Sequence, residues 1–281
     1  MRRRGKLQFE TIGYWSEIKL AIIKDYAAAY SRILSVQRKP TLYHIYVDAF
    51  AGAGKHISRT TGQTVSGSPM NALQIQPPFR EYHFIELDEQ KIQSLRDIAG
   101  DRADVHAYEG DCNNILLEEV FPRARWEDYR RALVLLDPYG LHLNWEVIRV
   151  AASMRSVEVF LNFPVADMNR NVFWSQPQNV DRQDIARMNA FWGNESWREI
   201  AYETRNGLFG PMEVRSTNDK IADGFRKRLQ QVAGFEYVAK PIPMKNATRA
   251  TIYYLFFASH KPVAESIVRQ VFDKYRTRGI S

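Results

Sequence analysis

Apolar residues recur at helical spacing near the start of the chain. Ile18, Ala21, Ile22, Tyr26, Ala29, Ile33 and Leu34 share one face over residues 13–38, which predicts a long amphipathic helix closed by Pro40. The period then changes. The runs LYHIYVDAF, EYHFIEL, DVHAYEG, RALVLLDPYG and SVEVFLNFP read as buried strands. Between them lie helical stretches: SPMNALQI, with Ser68 as cap and Pro69 in the first turn, then DEQKIQSLRDIA, NNILLEEVF and NWEVIRVAASM. Strands that alternate with helices predict a parallel sheet covered on both faces. From about 165 to 233 the pattern turns polar and helical, with Trp174, Trp192 and Trp197 as anchors. Two further strands, GFEYVAKPIPM and ATIYYLFFASH, flank a turn around Asn246, and a helix over 261–276 ends the chain. The expected architecture is α/β: a mostly parallel seven-stranded sheet with helices on both faces. A helical extension (1–40) would precede a domain over 41–281 that carries a helical insertion at about 165–233.

Composition narrows the function classes. The single cysteine, Cys112, excludes an internal disulfide framework and any Cys-rich metal site within this chain. The six histidines form no His-x-x-x-His pair, so no metal site is expected. The longest nearly uncharged apolar run, TIYYLFFAS, is too short to cross a bilayer, and MRRRGK is followed by no apolar core, so a cytoplasmic location without a membrane is expected. A net charge of +7 favours acidic partners, nucleic acid first.

Candidate chemistry sits at the strand ends. At VDAFAGAGK the first strand ends on Asp48, and Phe50, Gly52 and Gly54 form the turn. A phosphate-binding P-loop needs Gly, four residues, then Gly-Lys-Ser/Thr, and here Ala49 and His56 break it at both ends. A dinucleotide fingerprint needs a third glycine running straight into a helix, which this chain lacks. Asp-x-Phe-x-Gly-x-Gly remains, either as an ordinary tight turn or as a seat for a ligand that backbone can approach closely. The pattern resembles motif I of Rossmann-like S-adenosylmethionine methyltransferases, in which the acid reaches the methionyl ammonium.

Later strands also end in acids. Glu86 ends the second, placed to accept two ribose hydroxyls, with Leu87 beside it and Asp88 read as a helix cap. After the third come Asp111, which by the same methyltransferase resemblance stands where a carboxylate accepts from the adenine amino group, and Cys112, which reads as pocket lining or as a small buried thiol. Asn113 or Asn114 would cap the next helix. The fourth ends in Asp137-Pro138-Tyr139-Gly140. Nucleobase amino-methyltransferases carry Asp/Asn-Pro-Pro-aromatic there, with the acid and a backbone carbonyl holding the exocyclic amine and the ring stacking on the base. The second proline is missing here, so the aromatic comes one residue early and Gly140 is expected to loosen the turn. Asp137 reads as catalytic or as crevice lining. After the fifth strand, Asn162, Pro164, Asn169 and Arg170 either contact substrate or pin the loop. PRARWEDYRR interleaves arginines with Trp126 and Tyr129, as phosphate and base contact would, or as a solvated turn with two rings packed inward.

Through YVDAFAGAG, SGSPMNAL, HFIELDE, GDCNN, ALVLLDPYGLHLNWEVI, FLNFPVADMNR and YYLFFASH, the chain resembles the three-Cys-motif partner family. The resemblance implies a Rossmann-like methyltransferase fold and a companion protein with a three-cysteine, radical-S-adenosylmethionine-like motif. The leading expectation is a methyltransferase using S-adenosylmethionine to N-methylate a nucleic-acid base. The alternatives are a non-catalytic methyltransferase-like subunit that binds the companion or nucleic acid, and a methyltransferase for small molecules or proteins.

Overall fold

The computed structural model describes residues 9–207 and 210–276. The basic start, residues 1–6, lies outside them. The chain divides into two compact units, one up to Leu135 together with the stretch from Ile267 on, and one over Leu136–Ser266.

The first unit opens with β1 (Thr11–Ile12) and α1 (Tyr14–Ser35). Of the expected face of α1, Ile18, Ile22 and Tyr26 are buried and Ala21, Ala29, Ile33 and Leu34 are half-buried; Ile23, Ala27 and Tyr30 are buried with them, so the buried stripe is offset from the expected one. Then come β2 (Tyr43–Asp48), β3 (Lys55–Ser58), β4 (Thr64–Ser66), α2 (Ser68–Leu73), β5 (Glu81–Glu86), α3 (Glu89–Ala99), β6 (Val105–Glu109), α4 (Cys112–Ile115) and β7 (Arg130–Leu136). β2 pairs parallel with β5 on one side and with β7 on the other, and β5 pairs parallel with β6. The order β7-β2-β5-β6 places a topological switch between β2 and β7. Every residue of β5 is buried, as expected of a strand covered on both faces. β1, β3 and β4 form a small separate sheet that the sequence pattern did not reveal. α2 starts one residue earlier than expected: Gly67, not Ser68, is its cap.

The second unit contains α5 (Trp145–Met154), β8 (Val157–Phe163), α6 (Val165–Asn171), α7 (Arg182–Trp192), α8 (Trp197–Ala201), β9 (Tyr202–Gly207), β10 (Gly210–Arg215), α9 (Asn218–Arg228), β11 (Tyr237–Val238), β12 (Ile242–Lys245) and β13 (Thr251–Ser259). α10 (Pro262–Arg276) follows, and in its last turn Lys274 and Tyr275 both engage Asp25 of α1, at 2.6 and 2.9 Å. β13 runs antiparallel to β8, β11 and β12. The fold is therefore mixed α/β, and its antiparallel part is larger than the expected pair. The single strand expected over 234–244 breaks into β11 and β12 around Pro241, which has no N–H to give a ladder.

The core of the second unit gathers on Phe225 of α9. Ring centroids of Phe163, Trp192, Phe256 and Phe191 lie 4.7, 5.2, 5.5 and 5.6 Å away. Trp192 and Trp197 are buried as expected, but Trp174 is exposed and donates its indole N–H to the Arg170 carbonyl. The stretch expected to be helical also holds the β9–β10 hairpin. No helix among the described residues is long and apolar enough to cross a membrane.

Candidate functional site

The turn after β2 is held from several sides. Gly52 and Gly54 adopt φ of +62° and +79°, the left-handed region that L side chains avoid. A Cβ on Gly54 would lie 2.8 Å from Cδ1 of Ile98. One on Gly52 would meet nothing within 4 Å. The turn therefore packs tightly against α3 at Gly54 and leaves open space at Gly52. Gly67 N–H donates to the Gly54 carbonyl at 2.8 Å, and Ser94 Oγ donates to the Ala53 carbonyl at 3.1 Å. Neither partner was evident from the sequence motif.

Glu86, at the carboxyl end of β5, completes the turn. Its Oε2 accepts from Gly52 N–H at 2.8 Å, and its Oε1 accepts from the N–H groups of Leu87 and Asp88 at 2.9 and 3.1 Å. A carboxylate offers about four lone-pair sites, and three are used here. Glu86 thus pins the glycine turn and keeps about one acceptor site. Asp48 ends β2 fully buried, with Oδ1 accepting from Phe50 N–H at 3.2 Å. Phe50 is half-buried, whereas Leu87 is 75% exposed, a large apolar side chain at the rim. Asp88 caps α3 as expected, accepting from Gln90 and Lys91 N–H.

Asp111 caps α4, accepting from both the backbone N–H and the side-chain amide of Asn113 at 2.8 Å. This corrects the expectation that Asn113 or Asn114 is the cap. Burial and the neighbouring Asp111 push the Cys112 thiol up to about 12, so it stays protonated and unreactive at neutral pH.

In the second unit Pro138 is buried and Tyr139 is 65% exposed. The Pro138 carbonyl accepts from Asn162 Nδ2 at 3.4 Å. That contact fixes the amide orientation, because a flipped amide would set two oxygens against each other. Oδ1 of Asn162 is left buried and without a hydrogen bond. Gly140 does not loosen the turn. A Cβ there would stand 2.9 Å from Oδ2 of Asp167, so glycine admits the close approach of α6, where Asp167 also pairs with Arg187 at 3.6 Å. Pro164 caps α6, its carbonyl accepting from Asp167 and Met168 N–H at 3.0 and 3.1 Å. Asn169 accepts from Arg215 and donates to Asn218 at 3.2 Å, which pins the loop, while Arg170 is exposed.

The rings of PRARWEDYRR do not pack inward. Trp126 and Tyr129 are both exposed, and the Arg131 guanidinium lies over the Trp126 ring at 3.4 Å.

No protein-family model and no curated protein sequence matches the chain. Among solved structures, it is similar to a Legionella pneumophila protein at 11% identity and a TM-score of 0.47, over 92% of this chain and 91% of that one. It is also similar to an S-adenosylmethionine-dependent methyltransferase of Clostridium acetobutylicum at 10% identity and a TM-score of 0.42, over 85% of this chain and 91% of the other. At such values the function rests on the chemistry of the chain's own residues.

Proposed function

We propose that the chain is an S-adenosylmethionine-dependent methyltransferase whose acceptor is an amino nitrogen on a nucleic-acid base. The observation that carries this reading is the Gly52 turn. A left-handed glycine, clamped by Glu86, faces open space at the carboxyl ends of parallel strands and beside their switch point, where open α/β sheets bind ligands.

These residues suit an adenosyl ligand. S-adenosylmethionine, when bound, supplies an electrophilic methyl group on a sulfonium. Asp48 offers a counter-charge to its ammonium, and Glu86 keeps about one acceptor site for a ribose hydroxyl. Phe50, Gly54, Leu87, Asp111 and Cys112 complete the seat, with the exposed Leu87 as apolar cover for a purine. On the acceptor side, Asp137, the Pro138 carbonyl and the unsatisfied Asn162 Oδ1 are hydrogen-bond acceptors for an NH2 group, and the exposed Tyr139 ring offers a face to the base. Two acceptors on the amine hydrogens localise its lone pair and orient it. Pro164 and Asn169 hold the loop that presents Arg170. At the amino end of β7, away from the reaction site, the exposed Arg125 and Tyr129 suit phosphate and base contact. A three-cysteine companion, implied by the family resemblance, is the partner proposed with this activity.

One observation favours a second reading, a non-catalytic subunit. The Pro138 carbonyl already accepts from Asn162. Transfer of labelled methyl from S-adenosylmethionine onto total RNA and total DNA distinguishes the two. Catalysis predicts label in nucleic acid that Asp137→Ala abolishes while S-adenosylhomocysteine binding survives. Label in neither pool, with the nucleoside still bound, supports the second reading. Unchanged labelling in Asp137→Ala overturns the assignment of the catalytic acid.

A further inference from the structure

The amino ends of β5 and β6 carry a cluster that the proposed reaction does not use. Side chains alternate along a strand, so Glu81 and His83 share one face of β5, and His106 and Tyr108 share one face of β6. The parallel register sets His83 directly beside His106. Three ligand-type atoms then converge. Oε1 of Glu81 lies 3.1 Å from His83 Nε2 and 3.3 Å from His106 Nε2, and all three atoms lie within 4.8 Å of one another. A tetrahedral ion with bonds of about 2.0–2.1 Å holds neighbouring ligand atoms about 3.4 Å apart, and two of the three edges match that already.

The surroundings also fit a bound cation. His83 is fully buried, and the one polar group its Nε2 faces at close range is Glu81 Oε1. Its other ring nitrogen, Nδ1, is 3.0 Å from the Tyr108 hydroxyl, the outer partner that orients a ligating imidazole. The two oxygens of Glu81 are divided: Oε2 takes Arg130 at 3.1 Å, so Oε1 is the one that faces the imidazoles. Arg123 stands 3.6 Å from Oε1 but is nearly half exposed, so its long side chain can turn to solvent.

We infer that Glu81, His83 and His106 form a site for a zinc-class divalent cation, with water as the fourth ligand on the side of the one-third-exposed His106. Two imidazoles and one carboxylate select zinc and its late first-row neighbours over magnesium or calcium, which take oxygen. The site is separate from the glycine turn. Glu81 and Glu86 are the first and last residues of β5, about 16 Å apart along an extended strand. The two neighbouring arginines place its affinity below that of a site free of positive charge.

The test is calorimetric titration of the full, untagged, chelator-treated chain with Zn2+, with Mg2+ as control and Co2+ absorption as a probe of coordination. One Zn2+ per chain is expected, no Mg2+, and visible Co2+ bands of a low-coordinate site. His106→Ala should abolish binding while the melting temperature without metal stays that of the parent. Tyr108→Phe, which keeps the ring, should weaken binding about 10-fold or more. Absence of saturable 1:1 Zn2+ binding to the parent, or parental affinity in His106→Ala, overturns the site.

Discussion

β5 has a carboxylate at each end, and the two are satisfied in opposite ways. Glu86, at the carboxyl end, is met by three backbone N–H groups, from Gly52, Leu87 and Asp88. Glu81, at the amino end, is met by side chains: His83, His106, Arg130 and Arg123. The first arrangement depends on backbone conformation and therefore on glycine. The second depends on which side chains the strand register brings together. A backbone cradle is fixed before a ligand arrives, which suits a nucleoside site. A side-chain cluster responds to substitution and to cations.

The largest expected effect breaks the amino-end arrangement. Glu81→Ala leaves Arg130 and the two imidazoles facing one another, and chelator-treated protein should lose about 3 kcal/mol in urea unfolding. His44, buried near the amino end of β2 and 2.9 Å from Ser31 Oγ, sharpens the contrast through pH. Burial, with Arg80 nearby, lowers its pKa from the ordinary 6.5 to about 4. The fold thus favours the neutral ring. Its contribution is whole above pH 6.5, is lost progressively as pH falls to about 4, and is constant below that. Unfolding measured across this window should show a loss that His44→Gln removes, up to about 3 kcal/mol. Glu86→Ala should cost less, about 2 kcal/mol, because part of the rim lies near water. Gly54→Ala should cost about 1–2 kcal/mol from the left-handed backbone and the Ile98 contact, read as a lower thermal midpoint.

The same contrast explains what the sequence could disclose. α1 and the five main strands were legible because apolar period and turn residues mark them locally. The turn at Gly52 was legible because only glycine adopts its φ readily, and the acids at strand ends stood out against apolar runs. The hairpin β9–β10 escaped because it is largely exposed and charged, so no apolar alternation marks it. The break at Pro241 is masked by the apolar residues on both sides of it. Aromatic identity marks Trp174 as an anchor but says nothing of which way its loop turns. Glu81, His83 and His106 stayed hidden because they join only through register between strands, with 22 residues separating the histidines in sequence.

The central claim is that the Glu86-clamped glycine turn seats an adenosyl ligand. Calorimetric titration of the full chain with S-adenosylhomocysteine tests it most directly. The account predicts one site per chain, lost in Glu86→Ala and retained in Asp137→Ala. No binding to the parent chain, or equal binding to Glu86→Ala, would contradict it.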